Sequence, residues 1–172
     1  LADKICTTAQ SCKITLDLNG KTVSGTHKDG VLMINDNASV RVTDSGTGGT
    51  IIGSNEFSYT TGNDFSSIRY YRGVVSVLDG KFILENGNIS NTNKDDGCGI
   101  FVCGTSSEIF ISGGNISAGS VALFMEAAKG TISGGSFSGN LYDLKGSGNI
   151  ILSVAEDKEV GATFPRGISV SG

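Results

Sequence analysis

GGTII at 48–52, NGNIS at 86–90, GGNIS at 113–117 and GGSFS at 134–138 are four versions of one phrase. Each runs from glycine through a small polar residue to a large apolar one, so Gly49, Gly87, Gly114 and Gly135 occupy one equivalent position. A phrase that keeps returning in this way marks a solenoid, in which each repeat buries its apolar face against its neighbours.

Working outward from the phrase, apolar residues alternate with period two, the signature of strands with one buried face. A first column holds Leu32/Ile34, Val75/Val77, Ile100/Val102 and Leu123/Met125, and a second holds Val40/Val42, Phe82/Leu84, Ile109/Ile111 and a shortened Ile132. The third follows the glycine: Ile51, Ile89, Ile116 and Phe137. An earlier rung is read in Ile14, Leu16, Leu18 and Val23, and a closing one in Leu141, Leu144, Ile150, Leu152 and Val160 with Phe164. Val77 to Val102 is 25 residues, Val102 to Met125 is 23, Ile89 to Ile116 is 27 and Ile116 to Phe137 is 21. Rungs stacked at ~4.8 Å would place like residues above like and pair the backbone rung to rung. The fold class is therefore all-β, a single-stranded parallel β-helix with three strands per rung and about five to six rungs. The glycine column suits bends that need positive φ or close backbone approach, and Thr50, Asn88, Asn115 and Ser136 become a polar ladder beside it. An antiparallel sandwich is disfavoured by the fixed order of three dissimilar strands, and a Ca2+-binding nonapeptide roll by the missing repeat.

Composition agrees. The chain has 172 residues, 26 glycines, one proline and net charge −4, which fits one domain of short strands and tight turns with little helix. Residues 1–172 read as a single domain, with 1–12 and 145–172 as end caps. No Lys/Arg cluster offers a footprint for nucleic acid, and no apolar run is long enough to span a bilayer. The N-terminus LADKICTTAQ lacks a secretory pattern, while a start without Met is what an excised mature segment would have. Cys6 with Cys12 and Cys98 with Cys103 lack the close spacing of a zinc knuckle. Disulfides, particularly Cys6 with Cys12, and free buried thiols are both open.

One separation departs from the pattern. Ile34 to Val77 is 43 residues, and removing the 19 residues SNEFSYTTGNDFSSIRYYR at 54–72 restores 24. This insertion holds five of the twelve aromatics and two of the four arginines, and long insertions on regular scaffolds serve function or cover an edge.

The phrases ITLDLNGKTVSG, VRVTDSGTGGTI and ISGGNIS resemble the right-handed parallel β-helix modules, of pectin-lyase-like architecture, in large secreted and surface proteins of anaerobic bacteria. The resemblance covers residues 14 to about 140. It implies a right-handed helix, an extracellular or cell-surface location, and polysaccharide binding or adhesion, while related enzymes cleave acidic polysaccharides. Polygalacturonase-like members carry NTD, paired-Asp, GHG and RIK motifs. NTNKDDGCGI at 91–100 approaches the first two, but Asn93 stands where a carboxylate is needed, neither GHG nor RIK follows, and the single histidine, His27, lies upstream. Asp95 and Asp96 read as turn residues. A lyase would need a Ca2+ cage and a base, and Asp36, Asp44, Asp79, Asp95 and Asp96 do not align into one. The expectation is no catalytic residue, no metal and no cofactor.

Alternation sends Met33, Ser76, Phe101 and Phe124 outward on the first column, and Arg41, Ile83 and Phe110 outward on the second. Outward rings call for a cover: the insertion itself, a second copy of the chain, or a ligand. Sugar faces stack on aromatic rings while polar groups bond the hydroxyls, so Tyr59, Asp64, Arg69, Tyr70, Tyr71 and Arg72, with Phe101 and Phe124, are the candidate glycan-binding residues. Three functions remain: a non-catalytic glycan-binding surface module, a structural stalk or adhesin segment, and a polysaccharide lyase or hydrolase.

Overall fold

The computed structural model describes the backbone at residues 5–7, 12–61, 68–152 and 161–170, and side chains at 12–58, 71–146, 149–152 and 161–169. Among these residues the chain forms strands and no helix. In chain order they are β1 (Ile5–Thr7), β2 (Lys13–Asp17), β3 (Thr22–Gly25), β4 (Leu32–Ile34), β5 (Ala38–Thr43), β6 (Thr50–Gly53), β7 (Ser58–Thr61), β8 (Ile68–Tyr71) and β9 (Val75–Val77). There follow β10 (Gly80–Leu84), β11 (Asn88–Asn91), β12 (Cys98–Cys103), β13 (Glu108–Ile111), β14 (Asn115–Ala118), β15 (Val121–Ile132), β16 (Ser136–Gly139), β17 (Tyr142–Leu152) and β18 (Ile168–Val170).

The strands pair in parallel, apart from the antiparallel β7–β8 hairpin. The larger sheet runs β1-β4-β9-β12-β15-β13-β10-β5-β2, with β17 on β15 and β18 on β17, and a second sheet runs β16-β14-β11-β6-β3. These curled parallel sheets are compatible with a solenoid. The register follows the apolar columns read from the sequence: Leu32, Val75, Ile100 and Leu123 are successive partners, as are Val40, Phe82 and Ile109, and Val23, Ile51, Ile89, Ile116 and Phe137. Their side chains form one shared core, and each fully buried aliphatic or aromatic residue contributes about 1.5–3 kcal/mol.

The glycine column serves both purposes proposed for it. Gly87, Gly114 and Gly135 have φ of 88°, 86° and 99°, where an L side chain is strained. Gly49 lies outside that region, but a Cβ there would meet Asp44 Oδ1 at 2.6 Å. The ladder is present as well: Asn115 Nδ2 donates to Asn88 Oδ1 at 2.9 Å, and Asn88 Nδ2 to Thr50 Oγ1 at 3.4 Å.

Strand pairing extends into both segments expected as caps. β1 adds to β4, β17 runs across residue 145, and β18 adds to β17. Leu18, read as a strand residue, follows β2 and is buried. β15 and β17 each run through both columns of the larger sheet, with a register shift between Met125 and Ala128. The earlier passes turn a corner there instead.

Candidate functional site

The insertion folds back onto the wall of the larger sheet. Its entry is held by Asp96: Phe57 N–H donates to the Asp96 carbonyl at 2.5 Å, and Ser58 N–H to Asp96 Oδ2 at 3.2 Å. Asn93 Oδ1 fixes the turn that carries Asp96, accepting from the N–H groups of Asp95 and Asp96 at 3.1 Å. Arg72 N–H donates to the Phe57 carbonyl, Arg72 Nη1 to the Tyr71 carbonyl at 2.7 Å, and Arg72 Nε lies 3.8 Å from Asp29 Oδ1. The hairpin base is therefore closed on itself through Arg72 and Phe57 and tied to two other segments, the turn at Asp96 and Asp29.

Below it lies a block of four rings. Phe57 is centred 5.2 Å from Tyr71, 5.0 Å from Phe124 and 6.2 Å from Phe101, and Tyr71 stacks on Phe124 with 6° between planes. Phe101 and Phe124 are outward neighbours in register, as expected, but the insertion covers them. Phe101 is 3% exposed, so it has no face left for a sugar. Its assignment as a ligand-binding residue is corrected: burial beneath Phe57 and Tyr71 makes it part of the hairpin's foundation. Tyr71, Phe124 and Arg72 are half-buried in the same block.

Tyr59 is registered opposite Tyr70, and Thr60 opposite Arg69. The side chains of Tyr59, Arg69 and Tyr70 lie outside the described residues, as does Asp64. Of the eight candidate residues, the described part of the structure brings together Tyr71, Arg72, Phe101 and Phe124.

Of the acidic residues considered for catalysis, Asp44 and Asp96 have carboxylates engaged by backbone N–H groups. Asp44 accepts from the N–H groups of Gly20 at 2.6 Å and Gly49 at 2.8 Å, and its own N–H donates to Asn86 Oδ1. Buried polar groups require such pairing. Asp95 and Asp96 form the hairpin-bearing turn, as their reading as turn residues anticipated. Ser45, through its side chain and then its N–H, together with the Asn19 N–H, holds the Asp17 carboxyl below the usual range. His27 Nδ1 accepts from the Asp29 N–H at 3.2 Å. Among the described residues no group of three or more His, Cys, Asp or Glu could hold a metal.

Cys12, Cys98 and Cys103 are free thiols; the side chain of Cys6, the other member of the expected staple, lies outside the described residues. Cys98 and Cys103 begin and end the same strand, which separates their Cα atoms by ~16 Å at the strand rise, far beyond disulfide reach. Burial pushes the Cys98 thiol well above its ordinary value, and burial with the neighbouring Glu126 carboxylate raises that of Cys103. Neither is a poised thiolate.

On the second column, Phe110 remains uncovered at 36% exposure. Lys81 Nζ sits 4.2 Å from its ring centroid and 3.9 Å from Glu108 Oε2. Sequence reasoning placed this ring outward but missed its polar company. Extending the register by one row, from Lys81 to Glu108 to Lys129, would have found it. Compared with protein-family models, curated proteins and solved structures, the chain finds no match in any of the three.

Proposed function

We propose that this chain is a right-handed parallel β-helix with three strands per rung, of pectin-lyase-like architecture, and that it is a non-catalytic extracellular or cell-surface module binding polysaccharide or another glycan. The observation that carries the reading is the anchored hairpin. An aromatic- and arginine-rich excursion stands on a regular parallel wall, its base tied to Asp96 and Arg72 and its underside packed on Phe101 and Phe124. A ligand-binding segment on a rigid support loses less conformational freedom on binding. Tyr59, Asp64, Arg69 and Tyr70 are the contact residues, while Tyr71, Arg72 and Phe124 position them. The engagement of Asp44, Asp95 and Asp96 in turns and hairpin anchoring favours binding over cleavage.

The test is affinity electrophoresis through gels containing neutral or acidic polysaccharides. At least one should retard the protein, and Tyr59→Ala with Tyr70→Ala should weaken that retardation about tenfold without lowering thermal stability. Unretarded migration in every gel overturns the reading. A structural stalk is the second reading, favoured by the half-buried core residues Ile14, Leu16 and Val23 at one end and Ile150 and Phe164 at the other, which further stacked coils would cover.

A further inference from the structure

Phe101, Phe124 and Phe110 all point outward from the sheet, yet the hairpin covers two of them. Phe110 is the exception, and its surroundings differ from those of a stray surface ring. Its registered neighbours outward along the wall are Thr131 and then Ile151, the latter 54% exposed. Phe110 and Ile151 therefore stand two strands apart, ~9.6 Å at the usual strand spacing, with the short Thr131 between them. The adjacent outward row is Glu108, Lys129 and Asn149, again in register. Together these residues line a notch of about 170 Å³.

We propose that this notch is a second binding site, which takes one neutral hexosyl unit of a polysaccharide chain against the Phe110 ring. The proposal rests on the glycan-binding reading but uses a different face of the molecule. Size sets the first limit: a notch of about 170 Å³ is on the scale of a single sugar ring rather than of a longer segment. A protein partner would need an interface of roughly 1,000 Å² or more, which one ring and one isoleucine do not provide. Chemistry sets the second. The apolar C–H face of a hexose stacks on an aromatic ring, while each hydroxyl both donates and accepts. Glu108 can only accept, Lys129 can only donate, and the Asn149 amide does both. Such a mixed rim of donors and acceptors matches the hydroxyls of a neutral sugar. Lys81 lies over Phe110 and pairs with Glu108, which holds both groups in place before the sugar arrives.

The test titrates cellohexaose, laminarihexaose and mannohexaose into the isotope-labelled chain and follows backbone amides by NMR. At least one should shift the amides of residues 108–110 and 129–131. Phe110→Ala and Phe110→Leu should each lower that affinity at least tenfold, the leucine variant keeping the wild-type melting temperature. Shifts confined to hairpin residues 58–71, or Phe110→Leu binding as wild type does, overturn the notch and leave the general reading intact. Silence toward the neutral sugars also overturns it, and the general reading falls too only if electrophoresis shows no retardation in any gel, neutral or acidic. A concentration-dependent dimer abolished by Phe110→Leu would make a second copy the occupant and likewise overturn the proposal.

Discussion

Asp36, Asp79, Gly104 and Ala127 each follow by two residues one of the registered partners Ile34, Val77, Val102 and Met125, and all four have left-handed backbone, with φ of 53°, 97°, 99° and 53°. The first three turn the chain from the first column of strands toward the second, while Ala127 bends β15 where it runs on through both. Glycine takes this conformation freely, and aspartate tolerates it through local hydrogen bonding. Alanine has neither advantage, and its Cβ costs ~1–2 kcal/mol in this region. Ala127 also lies within the register shift between β15 and β17, so the strain is held by pairing on either side. Ala127→Gly should therefore stabilise the protein by about 0.5–1 kcal/mol after the extra chain entropy of glycine is subtracted. The readout is urea unfolding, with a higher midpoint at unchanged slope. A midpoint equal to or below that of the wild type would mean the bend is not strained.

At the level of elements, the hairpin is held to the wall by rings as well as by hydrogen bonds. Phe57 touches the other three members of the block, with centroids 5.0–6.2 Å away. Phe57→Ala should cost about 3 kcal/mol, the usual range for emptying an aromatic site. Because among the described residues β7 and β8 pair only with each other, the loss should be local. Hydrogen exchange should quicken at 58–61 and 68–71 while β10 and β13 keep their protection, and a hydrophobic dye should bind the newly bared Phe101. Uniformly faster exchange would instead make the hairpin part of the main cooperative unit. The insertion itself was legible, since its 19 residues account for the one long separation between otherwise regular columns. Its role was less so. Aromatic enrichment is the same whether rings meet a ligand or their own scaffold, and only the packing of Phe57 on Phe124 separates the two for Phe101. Asp96 could not be read as an anchor, because its partner Ser58 is 38 residues away and accepting a backbone N–H leaves no mark on the partner's identity. Registers within columns were legible for the opposite reason: period-two alternation fixes which face is buried, and a slip of one residue would turn every side chain over.

For the molecule as a whole, stability should be graded along the stack. Parallel pairing joins each strand to the passes before and after it, so a central strand such as β11 has partners on both sides, β6 and β14, whereas among the described residues β3 has β6 alone. The core reflects this: Ile51, Ile89 and Ile116 are fully buried while their partner Val23 is half-buried. In a stack held by nearest-neighbour contacts, opening from an end breaks one interface and opening in the middle breaks two. Native-state hydrogen exchange should accordingly show protection rising from β2 and β3 through β5 and β6 to a plateau over β10, β11, β13 and β14. Substitutions should follow the same gradient. Ile89→Ala, which empties a fully enclosed site, should cost about 3 kcal/mol and lower protection in both β6 and β14, because large-to-small changes in closed cores lose transfer energy and leave a cavity. Val23→Ala should cost about 1 kcal/mol, since half of that side chain is already in water, and should leave β11 and β14 unchanged. Equal protection from β2 to β14, or an equal cost for the two substitutions, would mean that the stack unfolds as one block and that nearest-neighbour stacking does not set its stability.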